Sequence, residues 1–561
     1  MESANEAFAG GRGIRLGAGM LFVVLAAGSA PAQTIKRVSL GGVGAQGNAL
    51  SSDGLVSADS LYVVFSSDAT NLVPDDVNGF RDAFVRDRLS GTTTLVSVSS
   101  GGAQGNALSS ASDPCPISAD GRYVVFYSSA DNLVPGDSNL VRDVFLRDLQ
   151  TSTTTRVSIS SAGAQGNDLS SGPTISADGQ YVAFYSSADN LVSGDTNLVR
   201  DCFVRDLEAN TTTRISVSSS GVQGDGLSSG PIISADGRYV AFYSSADNLV
   251  SGDTNLIRDV FVRDRQTNTT TRVSVSSSGV QGDKLSSDPT ISSDGRYVCF
   301  YSDATNLVGG DTNLVRDVFV RDRQTNTTTR ASVGTGDVQG NARSETAAIS
   351  GNGLFVAFDS DATNLVGGDT NLVRDTFLRD RQNLTTIRIN ASASGVQGNS
   401  NSADASLSAS GDFVAFGSYA SNLVAGDTNL TEDVFLYIQR PTPHAGQAPD
   451  PPRPGGTVPA SLVVAPGPAR EILFCLADPA GIPRPDALPF VILGTRPTAD
   501  GKLDPWSTIG IFAGPPGTGT VRVDLPSESL QRDPLYALGF FLEPTRGAGA
   551  RATPALVTEA D

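Results

Sequence analysis

This chain of 561 residues repeats seven times, with small changes, the stretch SADGRYVAFYS that occupies residues 234–244. Each copy continues through NLV and GDTN to DVFVRD and ends in TTTRVSV, as residues 248–275 do. The aspartate of the GDTN step recurs every 58 residues from Asp137 to Asp427. Asp76 precedes that series by 61 residues, which we assign to a connection three residues longer. A fixed period of this length is the signature of a repeat architecture.

Each repeat predicts four antiparallel strands, called a to d here. Strand a is short and ends in Ile-Ser, as at residues 233–234, and the Asp-Gly after it predicts a tight hairpin turn. Strand b, at residues 239–243, is apolar on both faces, as expected of a strand packed between two neighbours. Strand c at residues 259–264 and a more polar strand d complete the unit. Seven such units predict an all-β, seven-bladed β-propeller, with an open solenoid as the alternative.

The two ends of the array favour a closed ring. The last repeat stops near residue 441 without a strand d, whereas residues 34–40, TIKRVSL, read as a strand d without a repeat of its own. An open array would leave both of these edges unpaired, which invites aggregation. We therefore predict that residues 35–40 pair with residues 434–436 and complete the last blade.

The repeat resembles that of the TolB-like propeller family, which is related in architecture to the WD-type repeat. The resemblance rests on Ser-Ala-Asp-Gly-Arg-Tyr-Val-Ala-Phe-Tyr-Ser at residues 234–244 and on Asp-Val-Phe-Val-Arg-Asp at residues 259–264. The family pattern has Pro where this chain has Ala235, and a shorter connection between strands b and c. The resemblance covers residues 34–440 and implies a propeller that serves as a scaffold, a transport accessory or an appendage to a hydrolase.

The remaining segments predict an exported protein with a second domain. Residues 1–32 read as a signal peptide, with a short apolar run at residues 16–28 and an Ala-Pro-Ala cleavage site before Gln33. The propeller takes residues 33–440, a Pro/Gly-rich linker takes residues 441–458, and a small β-sandwich-like domain takes residues 459–561. We predict export to the periplasm or the extracellular space, with no membrane span after signal cleavage.

Composition argues against nucleic-acid partners and against an enzyme. The formal net charge of −19 repels nucleic acid. The single histidine, His444, lies in the predicted linker, so a Ser-His-Asp triad lacks its base. The four cysteines are far apart and predict neither a disulfide framework nor a metal site. We interpret Cys115, Cys202 and Cys299 as buried filler.

The chemically notable pattern is Asp-x-Asn-x-x-x-Asp, once per repeat. Oxygen ligands at offsets 1, 3 and 7 resemble the start of a calcium loop, but the side-chain ligand at offset 5 and the distal glutamate are missing. We expect these residues to order a turn, with calcium binding as the alternative and no other cofactor. The candidate ligands for Ca²⁺ are Asp137, Asn139, Asp143, Asp195, Asn197, Asp201, Asp253, Asn255, Asp259, Asp311, Asn313, Asp317, Asp369, Asn371 and Asp375; the first and last repeats carry the same pattern at Asp76, Asn78, Asp82, Asp427, Asn429 and Asp433.

Propeller topology predicts one polar face. The b–c connections with this pattern and the d–a connections with Gln-Gly-Asn or Gln-Gly-Asp emerge on the same side. The arginine before the last Asp of each pattern, such as Arg258, is expected to neutralise part of that face or to form solvated pairs. We predict a non-catalytic binding or scaffold protein that uses this face for a protein, a glycan or a cation. A calcium-stabilised structural propeller and a carboxylate-dependent hydrolase or lyase are the alternatives.

Overall fold

The computed structural model describes residues 34–439, except 43 and 113, and beyond them only the strands that lie between residues 471 and 554. These residues form strands, turns and bridges without a helix, so the predicted all-β class is confirmed. No helix in the described part has the length and apolar character of a membrane span. The predicted signal peptide and linker, with His444, lie outside the described residues.

Seven four-stranded antiparallel sheets form the blades, as the repeat predicts. Six blades take their strands a to d from consecutive sequence, and blade 7 takes strand d from the N-terminal segment. The strands are, in blade 1, Ser51–Val56, Tyr62–Ser67, Asp82–Asp87 and Thr92–Leu95; in blade 2, Ser109–Ser110, Tyr123–Ser128, Asp143–Asp148 and Thr153–Arg156; in blade 3, Ser170–Ile175, Tyr181–Ser186, Asp201–Asp206 and Thr211–Arg214; in blade 4, Ser228–Ile233, Tyr239–Ser244, Asp259–Asp264 and Thr269–Arg272; in blade 5, Ser286–Ile291, Tyr297–Ser302, Asp317–Asp322 and Thr327–Arg330; in blade 6, Ser344–Ile349, Phe355–Ser360, Asp375–Asp380 and Thr385–Arg388; and in blade 7, Ser402–Leu407, Phe413–Ser418, Asp433–Ile438 and Thr34–Arg37.

The N-terminal strand closes the ring in the predicted place. Ile35 lies opposite Tyr437, and Arg37 lies opposite Phe435. The backbone N–H of Val38 donates to the carbonyl of Val434 at 2.8 Å, which extends the pairing beyond the regular strand. Closure is therefore confirmed, and the open solenoid is excluded for this part of the chain.

The first strands of neighbouring blades contact each other and line the central axis. Thr174 Oγ1 donates to the carbonyl of Pro231 at 3.2 Å, from strand a of blade 3 to strand a of blade 4. The N–H of Val56 donates to Ser406 Oγ at 3.2 Å, which joins the same strands of blades 1 and 7. Strands d, in contrast, form the outer edge of every sheet.

The core consists of apolar layers between neighbouring blades. In each blade a phenylalanine of strand b stacks on one of strand c, with ring centroids between 5.6 and 6.1 Å apart. Phe242 and Phe261 of blade 4 are fully buried and pack with Ala183 and Val204 of blade 3. Strand b is buried on both faces for this reason, as its sequence predicts.

The Asp-Gly turn between strands a and b also packs neighbouring blades together. Gly237 has a φ of +70°, which a residue with a Cβ rarely adopts. The ring of Tyr181 from the preceding blade occupies the space that a Cβ at this position would need. Asp236 Oδ1 accepts from Ser234 Oγ at 2.6 Å and from the N–H of Arg238 at 3.0 Å, which fixes the turn.

Blade 2 differs from the others in strand a. Its three additional residues lie inside that strand and not in the connection before it, so the regular strand shortens to Ser109–Ser110. Cys115 lies there between two prolines, has a φ of +61° and is exposed. The interpretation of Cys115 as buried filler is therefore wrong, because the residue is exposed at the insertion. Cys202 and Cys299 are fully buried, as interpreted.

The chain divides into two compact units, Met1–Pro441 and Thr442–Asp561. The second unit contains two three-stranded antiparallel sheets. Their strands are Glu471–Cys475, Phe490–Gly494, Ile511–Ala513, Thr520–Asp524, Tyr536–Leu542 and Ala552–Pro554. These strands agree with a β-rich domain, whereas the sandwich packing and the exact domain boundaries stay predictions.

Candidate functional site on the polar face

The b–c and d–a connections meet on one face of the ring. Gln165, from the connection after blade 2, donates through Nε2 to Asp137 Oδ1 at 2.7 Å and to Asp143 Oδ2 at 3.1 Å. Asn190, from a b–c connection of the next blade, donates to the carbonyl of Gln165 at 2.8 Å. Side chains that are distant in sequence thus join into one network of amides and carboxylates.

The Asp-x-Asn-x-x-x-Asp pattern orders the long b–c connection. In blade 2, Asn139 Nδ2 donates to Asp143 Oδ2 at 3.1 Å and to the carbonyl of Gly166 at 2.9 Å. Asn139 Oδ1 accepts from the N–H of Val141 at 3.2 Å, which is an Asx turn. The other oxygen of Asp143 accepts from Ser158 Oγ at 2.6 Å. Each member of the pattern therefore has a role in ordering the loop.

An arginine at the end of strand d lies between the two carboxylates of the pattern. Arg156 Nη1 is 3.1 Å from Asp137 Oδ1 and 3.3 Å from Asp143 Oδ2. The same arrangement recurs at Arg214 with Asp195 and Asp201, Arg272 with Asp253 and Asp259, Arg330 with Asp311 and Asp317, Arg388 with Asp369 and Asp375, and Arg37 with Asp427 and Asp433. The two aspartates that the sequence predicts as calcium ligands in each of these blades therefore lie on either side of one guanidinium. Calcium binding at these aspartates stays a prediction.

These ion pairs are buried, so the charges depend on each other. The side chains of Asp253 and Asp259 are at most 1% exposed, and that of Arg272 is 11% exposed. Burial raises the pKa of the Asp253 carboxyl, and the nearby Arg272 charge acts against this shift. Removal of such a guanidinium would leave two buried carboxylates without a counter-charge.

The sequence analysis predicts that a different set of arginines neutralises the carboxylates of the polar face. The arginine before the last Asp, represented by Arg200, does not lie between these carboxylates. Its guanidinium lies 4.5 Å over the ring of Tyr185 and reaches Ser229 Oγ, on strand a of the next blade, at 3.4 Å. This series therefore surrounds the mouth of the central axis. The Arg that ends strand d, 13 residues after the second Asp in blades 2 to 6, is the signal that would have identified the ion pair.

One half of the mouth consists of arginines stacked on tyrosines. Their guanidinium carbons lie 4.4 to 4.6 Å from the ring centroids, a cation–π distance. Within the described chain these arginines have no carboxylate partner at ion-pair distance. The Nε atoms of Arg142 and Arg200 are buried without a hydrogen bond. The pairs are Arg142 with Tyr127, Arg200 with Tyr185 and Arg258 with Tyr243.

The other half of the mouth is acidic. Glu345, on strand a of blade 6, bridges Arg316 Nη1 at 2.9 Å and Arg374 Nη1 at 2.6 Å. Asp53 pairs with Arg81 at 3.0 Å. Asp53 and Asp404 lie within register shifts in strand a and have φ values of +57° and +59°. Such bulges redirect side chains, and the sequence pattern gives little sign of them.

Glu432 is one of the strongly perturbed carboxyls of the acidic half. It replaces the arginine of the other blades. Its carboxyl occupies the space that a Cβ at Gly417 would need, and blades 2 to 5 have a tyrosine at that position. Burial raises the pKa of Glu432 to about 7, and the charges of Asp404 and Asp53 add to the shift. Two coupled replacements thus create a buried carboxyl that titrates near neutral pH.

Protonation of Glu432 is expected to stabilise the fold as the pH falls. Because its pKa is higher in the folded state, the folded chain gains the proton first, so stability rises as the pH drops through about 7 and levels off near the ordinary glutamate value of 4.5. Relative to Glu432→Gln, wild type should gain up to about 3 kcal/mol between pH 8 and pH 5. Urea unfolding of both proteins at each pH measures this, and parallel stability curves would contradict it.

The described cysteines do not offer a reactive thiolate in the core. Burial raises the pKa of Cys299 to about 12 and raises that of Cys202 as well. A thiol with a raised pKa is a poor nucleophile at neutral pH. Glu432, with its pKa raised to about 7, is a described group that can gain or lose a proton near neutral pH.

Comparison with known proteins gives similarity of fold only. The strand order and the blade count confirm the propeller fold that the TolB-like resemblance predicts. The chain has a seven-bladed β-propeller fold. No family model and no curated protein matches it.

Among solved structures, TolB from Acinetobacter baumannii is 15% identical, with a TM-score of 0.32, over 61% of this chain and 63% of that one. TolB from Agrobacterium tumefaciens is 14% identical, with a TM-score of 0.33, over 62% and 94%. The WD40 repeats of RRP9 are 13% identical, with a TM-score of 0.37, over 72% and 97%. The chain thus spans less than two thirds of the Acinetobacter protein, and the propeller assignment rests on its own strand pairing.

Proposed function

We propose that the chain is an exported, non-catalytic binding protein that holds a protein or glycan partner at the mouth of its polar face. The proposal rests above all on the half of the mouth in which Arg142, Arg200 and Arg258 have no carboxylate partner among the described residues. Stacking on tyrosine holds each guanidinium in place, so little conformational entropy is lost when a partner binds. Arginine and tyrosine are also the residue types that contribute most energy at interfaces.

The charge pattern favours a protein over a glycan as the partner. Guanidinium groups on one half bind acidic groups, whereas Asp53, Asp404 and Glu432 on the other half attract basic groups. A protein surface offers both signs at this spacing, while an acidic glycan complements only the arginine half. The net charge of −19 further favours basic regions around the docking point.

Arg200→Gln is expected to weaken partner binding by about ten- to a hundredfold, because one charge-assisted hydrogen bond contributes roughly 1.5–3 kcal/mol. The partner is isolated from the secreted fraction on immobilised wild-type protein, and its affinity is then measured for each variant. Arg238→Gln is the matched control, since Arg238 also stacks on a tyrosine, at 4.7 Å, but beside an a–b turn on the opposite face. Equal affinities of the two variants would contradict the proposal.

Export itself is tested on the N-terminus of the protein as it is made in its own cell. Cleavage after the Ala-Pro-Ala sequence would leave Gln33 as the first residue. We expect N-terminal sequencing of protein from the periplasm or the medium to begin at that residue. Intact Met1 in cytoplasmic protein would contradict export.

A carboxylate-dependent hydrolase or lyase is the second candidate function, and Glu432 is the observation in its favour. A buried carboxyl with a pKa of about 7, next to two further carboxyls, has the properties of a general acid. Turnover of ester, glycoside or peptide libraries that Glu432→Gln abolishes would favour this function over simple binding.

A further inference from the structure

Blade 1 lacks the guanidinium that lies between the paired carboxylates of the other six blades. Strand d of blade 1 ends at Leu95, where the other blades have Arg156 or its counterparts. Leu95 is partly buried against the apolar cluster between blades 7 and 1 and has no hydrogen-bond donor in its side chain. The carboxylates of Asp76 and Asp82 therefore lack the arginine counter-charge that the carboxylate pairs of the other six blades have.

In blade 1 the glutamine side chain of the d–a connection also does not donate to the first Asp of the pattern, as it does in blade 2. Gln165 donates to Asp137, but its counterpart Gln104 donates through Nε2 to the carbonyl of Asp75 at 2.8 Å. Gln104 Oε1 accepts from the N–H of Val77 at 3.2 Å, which fixes this orientation. Both of the donors that Asp137 has are thus missing at Asp76.

Asp76 is a buried carboxylate whose Oδ1 lacks a hydrogen bond, as do those of Asp253 and Asp369, but in the described chain it also lacks the guanidinium that lies beside those two. The residue is 8% exposed, and its Oδ1 has no hydrogen-bond partner. Asp82 is fully buried; its Oδ1 accepts from Ser97 Oγ at 2.6 Å and its Oδ2 from Asn78 Nδ2 at 2.7 Å. Burial of an unpaired carboxylate is costly unless a counter-charge is bound.

We propose that blade 1 binds one divalent metal cation between Asp76 and Asp82, in the place that a guanidinium takes in the other blades. Two carboxylates carry the charge that a divalent ion balances, and carboxylate oxygens suit a hard ion such as Ca²⁺. The Asn78 carboxamide already holds Asp82 in position. The small exposed fraction of Asp76 gives water access to complete the coordination shell.

The restriction to blade 1 follows from the same geometry. Arg156 Nη1 contacts both carboxylates of blade 2 at 3.1 and 3.3 Å, so a cation there would have to displace a covalently attached competitor. Leu95 is the residue that replaces this competitor in blade 1. An arginine at position 95 should therefore remove the site, and a second site in blade 2 should require the loss of both Arg156 and the Gln165 amide.

The experiment counts bound calcium on the full chain by equilibrium dialysis against calcium chloride at pH 7.5, after removal of metals by chelator. We expect one ion per wild-type chain, none for Leu95→Arg and two for the double variant Arg156→Leu/Gln165→Ala, which also removes the amide that donates to both carboxylates of blade 2. The matched control is Leu89→Arg, which adds the same charge to blade 1 at an exposed position outside the site and should keep one ion. Asp76→Asn, which is nearly isosteric, should keep the fold and lose the ion.

Several results would overturn the proposal. A wild-type chain without calcium would mean that the two carboxyls share a proton instead, and a Leu95→Arg chain that keeps its ion would place calcium elsewhere. Five or more ions per chain would assign calcium to blades 2 to 6 and refute the restriction to blade 1. Partner binding through Arg200 is measured separately, so failure of the metal site and failure of the proposed function remain distinguishable.

Discussion

A chain that lacks residues 33–40 is expected to lose its closed ring and to aggregate. The deletion removes strand d of blade 7 and exposes the edge of strand c, Asp433–Ile438, along its whole length. It also removes Arg37, the counter-charge of Asp427 and Asp433. An unpaired edge of this kind pairs with other chains. Size-exclusion chromatography should show soluble aggregates in place of the wild-type peak.

The control for this deletion separates the strand from its charge. Arg37→Leu keeps the backbone pairing with Asp433–Ile438 and removes only the guanidinium. This variant should elute like wild type and unfold at a lower urea concentration, because blade 7 then holds two buried carboxylates without a counter-charge. A deletion variant that elutes and unfolds like wild type would refute closure by the N-terminal strand.

Phe242→Ala should lower the free energy of unfolding by about 3–5 kcal/mol. The side chain is fully buried, stacks on Phe261 with ring centroids 5.9 Å apart and packs against blade 3. Truncation therefore leaves a cavity in a layer that two blades share. Urea unfolding followed by circular dichroism measures the change. Leu256→Ala is the control, since Leu256 is 74% exposed and should change stability by less than about 0.5 kcal/mol. A loss below about 1 kcal/mol at Phe242 would contradict the packing.

The fold was predictable because the same four-strand pattern occurs seven times in the sequence. The apolar strand b, the Asp-Gly turn and the separated strand d at residues 34–40 each follow from local sequence, and they agree with one another. The extra residues of blade 2 were assigned to a connection because length alone does not show where an insertion is accommodated. The structure accommodates them inside strand a, near Cys115.

The site was only partly predictable. The acidic pattern was visible, since Asp253, Asn255 and Asp259 lie within seven residues of one another. Its partner Arg272 comes from a different strand, and only the pairing of strands c and d brings the two together. The two halves of the mouth depend on bulges in strand a and on contacts between blades, such as that of Arg200 with Ser229. The hydrophobic periodicity of one repeat shows neither the bulges in strand a nor the contacts between blades.

Ring closure also determines the order in which this protein can mature. Ser39 Oγ donates to Asp433 Oδ1 at 2.7 Å across 394 residues of sequence, so blade 7 has to wait until synthesis has passed strand c at Asp433–Ile438. Blades 1 to 6 each complete their own four strands as the ribosome moves on, whereas the first-made strand stays without a partner throughout. Bringing such distant segments together costs about 5 kcal/mol of chain entropy, from the logarithmic dependence on loop length. If six finished blades stack first, this entropy cost is smaller, because the stack holds the N-terminal strand near strand c of blade 7 before the two pair.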